Sequence, residues 1–118
     1  MKDRIVSFKL AEAAKKKGFN WRSEKYYSND GNIDEGTLQW SNSDFSDGES
    51  SAPTHYALAR WLRENYNIHV IVNPKCHKLN RFTWCVITTH GIFVGDGIKY
   101  EDHDDAMDNG LLEAIDMI

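Results

Sequence analysis

Cys76, His77, Cys85 and His90 lie close together in the sequence, and they are the side chains best suited to hold Zn²⁺, which prefers thiolate and imidazole ligands. Their spacing opposes that chemistry. No paired C-x-x-C knuckle occurs, and Cys85 falls inside an alternating run between Trp84 and Val86, where a free cysteine behaves as a small buried apolar residue. Cys76 beside His77 has the types of a nucleophile and its base. Neighbours in a turn aim their side chains apart, however, and no residue in the sequence is identifiable as orienting the imidazole.

Other motifs fail in the same way. Gly91, Gly95 and Gly97 match neither G-x-x-x-x-G-K-[ST] nor G-x-G-x-x-G, so they read as turn residues rather than a phosphate cradle. Asn42-x-Asp44-x-Ser46 is followed by Asp47 where a calcium loop needs glycine, and Asp102-x-Asp104 by Ala106 where it needs a ligand. The expectation is therefore no catalytic centre, no metal and no cofactor.

Charge is more informative. The net charge is −4, and no Lys or Arg occurs between Lys25 and Arg60 or after Lys99. The first acid-only stretch holds Asp44, Asp47 and Glu49; the second holds Asp102, Asp104, Asp105 and Asp108. These seven carboxylates are the predicted partner surface, because complementary charge speeds encounter with a basic protein. Solvation and the dipole of a helix N-terminus are the plainer explanation. Arg60, Arg63, Lys75, Lys78 and Arg81 form the alternative, a basic patch beside Tyr and Trp side chains that fits nucleic acid. A pI near 5.7 weighs against it, since phosphate contacts need an excess of Lys and Arg.

The elements that must carry these residues follow from local pattern. At 118 residues, 41% hydrophobic and 12% aromatic, the chain is expected to be one globular domain spanning 1–118. The start lacks the apolar run of a signal peptide and no stretch is long enough for a membrane span, so a cytoplasmic protein is expected. Two cysteines are too few for a disulfide framework, and both read as free thiols.

Ser7 is placed to cap a helix to about Lys17, with Gly18 as its left-handed end. Tyr26-Tyr27 and Leu38 to Trp40 suggest a weak strand pair around the turn Asn29-Asp30-Gly31. Ser41 to Ser51, rich in Ser, Asp and Gly, reads as an exposed loop. Pro53 suits the first turn of a second helix, with Thr54 as an alternative cap. Ala57, Leu58, Trp61 and Leu62 share its apolar face. Asn67 ends it, and strands follow at 68–73, 82–89 and 92–94, with an interruption at Gly95-Asp96-Gly97. A final amphipathic helix presents Met107, Leu111, Ala114, Ile115 and Ile118. The expected class is α+β in the order α-β-β-α-β-β-β-α, an antiparallel sheet of about three main strands plus the weak pair, with helices on one face.

Three segments carry a resemblance: Ala52-Pro53-Thr54, Trp61-Leu62-Arg63-Glu64 and Asn67-Ile68-His69-Val70. With Lys17-Gly18-Phe19 before a Tyr-Tyr pair, and Tyr100-Glu101 before Gly110-Leu111 and Glu113-Ala114-Ile115, they resemble the signature of a family of small uncharacterised proteins of prophages and mobile elements in gut anaerobic bacteria. The resemblance implies origin and brings no activity, cofactor or catalytic residue with it. The expected function is a noncatalytic accessory or adaptor domain acting through a host or phage protein, with nucleic-acid binding as the alternative and a small enzyme or zinc protein behind both.

Overall fold

The computed structural model describes residues 4–21, 23–28, 30–40, 49–74, 82–94, 100 and 102–118. The class is α+β, and the elements follow the expected order with one further two-residue strand before the second helix. They fall into two compact units, Met1–Ala57 and Leu58–Ile118. Among the described residues, no helix is long and apolar enough to cross a membrane.

In the first unit, α1 (Phe8–Lys16) starts as its sequence dictates. Ser7 is extended, and its hydroxyl accepts the Leu10 N–H at 3.2 Å. The helix stops at Gly18, whose φ of 96° is left-handed. There the Gly18 N–H reaches the Lys15 carbonyl at 3.1 Å and the Phe19 N–H the Ala14 carbonyl at 3.0 Å. This is the Schellman closure, and it folds Phe19 back into the core beside Leu10, Ala11 and Ala14, all buried.

Strand β1 (Ser23–Tyr27) pairs antiparallel with β2 (Ile33–Trp40), with Tyr27 opposite Ile33. On its other side β1 pairs with β3 (Ser50–Ser51), giving the order β2-β1-β3. The weak strand pair is thus a three-stranded sheet. The stretch expected to be an exposed loop, 41–51, is corrected at its end: Ser50 and Ser51 are only 1% exposed, and α1 lies against them. Their small side chains allow that approach, and the ladder to β1 takes up their backbone groups. Residues 41–48 lie outside the described residues. The chain before α1 is tied in by the Tyr27 hydroxyl, which donates to the Val6 carbonyl at 2.6 Å, and by a bridge between Ile5 and Thr54.

Helix α2 (His55–Tyr66) is capped by Thr54, whose hydroxyl accepts the Ala57 N–H at 3.1 Å. Pro53 therefore precedes the cap instead of occupying the first turn. Leu58, Trp61 and Leu62 are buried, as the helical spacing requires. Asn67, at φ 54°, ends α2 in the left-handed region with its N–H on the Arg63 carbonyl at 3.2 Å.

The second unit then builds an antiparallel sheet in chain order: β4 (His69–Pro74), β5 (Phe82–Thr88) and β6 (Gly91–Val94). Its register sets Val70 opposite Val86, Ile71 opposite Cys85 and Val72 opposite Trp84. On the far side of β5, Cys85 faces Val94 and Ile87 faces Ile92. Phe82 exchanges backbone hydrogen bonds of 2.7 and 2.9 Å with Tyr100. The expected interruption at Gly95-Asp96-Gly97 lies outside the described residues. Helix α3 (His103–Asp116) covers β4 and β5 with Ala106, Gly110, Leu111, Ala114 and Ile115 buried. Strand alternation puts Val70, Val72, Trp84 and Val86 beneath it.

Candidate functional site

The acidic start of α3 is built from its cap. Asp102 is extended at φ −116°, and its carboxylate accepts the Asp104 N–H at 2.8 Å. Asp104 and Asp105 occupy the first turn, where the helix dipole favours a negative charge. His103 Nδ1 lies 3.8 Å from Asp104, and its ring meets Phe82 edge-on at 5.6 Å between centroids. Asp105 is exposed and Asp108, one turn on, is half-buried. Three of these four carboxylates, Asp102, Asp104 and Asp105, thus have a local role in starting the helix.

Glu49 belongs to the first unit, where its backbone carbonyl accepts from the Lys15 ammonium. Asp44 and Asp47 lie outside the described residues, as do Lys75, Lys78 and Arg81 of the basic alternative. Arg60 pairs with Glu64 one turn along α2, Nε to Oε2 at 2.7 Å, while Arg63 is exposed.

The feature that charge reasoning missed is the other face of the second sheet. Residues 69, 71 and 73 of β4, 83, 85 and 87 of β5, and 92 of β6 point away from α3 by alternation. None is Lys, Arg, Asp or Glu. Ile92 is 65% exposed and Ile71 40% exposed. Between them lie Cys85 and Ile87, both half-buried. The expectation of a buried Cys85 is therefore corrected: it lies on the open face, and its thiol is free. The signal was present in the sequence, since Ile71, Ile87 and Ile92 occupy the phase of their strands that a one-sided sheet fills with polar residues.

The cross-strand neighbours of Cys85 are Ile71 and Val94, which supply no base. Among the described residues, no three His, Cys, Asp or Glu side chains are grouped to hold a metal ion. The buried His55 sits in the first turn of α2, its backbone N–H on the Arg4 carbonyl at 2.8 Å. No protein-family model, curated protein or solved structure matches the chain.

Proposed function

We propose that the protein is a noncatalytic accessory domain that works by binding another protein, and that the open face of β4, β5 and β6 is its contact surface. The observation that supports this reading is the exposure of Ile71 and Ile92 on a face without a formal charge, backed by a rigidly packed helix. Contiguous exposed apolar surface is uncommon on monomeric proteins and marks interaction sites. The partner in this reading is a host or phage protein, and the acidic start of α3 lies on the opposite side of the same sheet, available to steer a basic partner but outside the apolar contact.

Affinity capture from the native host, run with wild type and with Ile92→Lys, tests the reading. Ile92 lies on the short strand β6 and is mostly exposed, so the variant keeps the fold. Loss of the captured protein from the variant, at low and high salt alike, supports an apolar contact. Unchanged capture removes this face. Loss on Asp104→Asn with Asp105→Asn and Asp108→Asn instead, in low salt only, would move the contact to the acidic helix.

A further inference from the structure

The sheet of the second unit ends on β4, and this edge is open. β5 pairs with β4 on one side only, and among the described residues no backbone hydrogen bond from another element reaches His69–Pro74. Exposure agrees. Val70 and Val72 lie on the face that α3 covers, yet both stay half-buried, whereas Trp84 and Val86 beside them in the central strand are buried. The free flank of an edge strand accounts for that difference. A row of unpaired N–H and C=O groups is complementary to one thing, another extended strand. Natural edges are usually blunted by Lys, Pro, a bulge or an inward charge; β4 carries no Lys, bulge or inward charge from His69 to Asn73, and its one proline, Pro74, stands at the very end of its register.

The sequence of β4 says which strand fits. His69-Val70-Ile71-Val72-Asn73 is a palindrome in residue type: polar, Val, Ile, Val, polar. A two-fold axis at Ile71 sets Ile71 against Ile71 of a second copy, Val70 against Val72 and His69 against Asn73. Antiparallel pairing satisfies this symmetry, every central pair is β-branched, and no like charges meet. We propose that two copies of this chain join by antiparallel pairing of β4 with β4, making one continuous six-stranded sheet centred on Ile71. This inference goes beyond the partner face: it uses the edge of the sheet, and Ile92 on β6 takes no part in it.

Sedimentation of the whole protein from about 10 µM to about 1 mM gives the first readout, since the contact is small and its affinity modest. The mass is expected to rise from 13.6 kDa toward twice that value. Ile71→Lys and Ile71→Glu each place like charges opposite one another across the axis, and each is expected to weaken association at least about tenfold. Mixing the two variants is expected to restore the dimer, because Lys then meets Glu. A monomeric wild type throughout the range overturns the proposal, as does a variant that associates like wild type or a mixture that stays monomeric. Should either variant fail to fold, wild-type hydrogen exchange decides alone. Slower exchange at residues 69–73 with rising concentration supports the pairing, and concentration-independent exchange there overturns it. Ile92→Lys is expected to dimerise normally, so loss of the partner face and loss of the edge pairing are read separately.

Discussion

Gly110 lies over Trp84 with no room for a side chain between them. A Cβ on Gly110 would stand 2.9 Å from Trp84 Cβ and 2.9 Å from Val70 Cγ1. The absent side chain is what lets α3 settle onto β4 and β5.

Gly110→Ala is therefore expected to destabilise the protein. Alanine gains about 1 kcal/mol of helix propensity over glycine, but overpacking a fixed core costs about 1–3 kcal/mol, and neither neighbouring carbon sits at the end of a flexible chain. A net loss of about 1 kcal/mol should appear as a lower urea midpoint at constant slope, with Gly110→Val worse. A variant as stable as wild type would mean that α3 shifts freely over the sheet.

Trp61 is 5% exposed, and its ring meets Tyr66 edge-on at 5.3 Å between centroids. Trp61→Ala should cost about 3–5 kcal/mol through lost burial and the cavity left behind. Thermal unfolding checks this, and an unchanged midpoint would place Trp61 outside the core.

Cys85 on the open face should react in the native state. In a Cys76→Ser background, a small thiol reagent is expected to label one cysteine per chain without denaturant, because access and thiolate fraction set the rate. Labelling that waits for unfolding would show the face to be covered.

Asp30 holds the turn between β1 and β2. Its carboxylate accepts from the Ser28 hydroxyl, from the Asn32 backbone N–H at 3.1 Å and from the Asn32 amide at 3.0 Å. The Ser28 hydroxyl, followed by the Asn32 N–H, pulls its pKa below the ordinary aspartate value. A depressed carboxylate stabilises the fold above its unfolded pKa and loses that contribution as pH falls through the folded value. Carboxyl NMR should show Asp30 titrating below the ordinary aspartate value, and Ser28→Ala should move it back up. An Asp30 that titrates at the ordinary value, or ignores Ser28→Ala, would mean that the turn does not hold it.

Features written in a few consecutive residues could be read before the fold was seen. Ser7, Gly18 and Asn67 mark helix ends because a cap is a local event, and the alternation Phe82-Trp84-Val86 fixes which face of β5 meets α3. Ser50 and Ser51 could not be placed this way, because their burial depends on pairing with β1, remote in the chain and invisible to composition. Gly110 reads locally as a flaw in a helix and becomes necessary only once Trp84 lies beneath it. The open face stayed hidden because aliphatic residues in both phases of a strand look like burial on two sides, whereas this sheet has α3 on one. Charge, the most visible signal, identified the start of α3, where Asp102 and Asp104 have plain local roles.

The backbone pairing around Ile5 and Thr54 acts as a clasp. The Val6 N–H bonds the Pro53 carbonyl at 2.9 Å and the His55 N–H the Arg4 carbonyl at 2.8 Å, so the segments leading into α1 and α2 hold each other. They close a loop of roughly 50 residues, whose ordering entropy must be met before either helix is fixed in place. Residues 4–6 thus act as a strand supplied from a distance, and trimming them would strip β1 of the carbonyl that its buried Tyr27 hydroxyl depends on. The first unit would then loosen as a whole instead of fraying at one end.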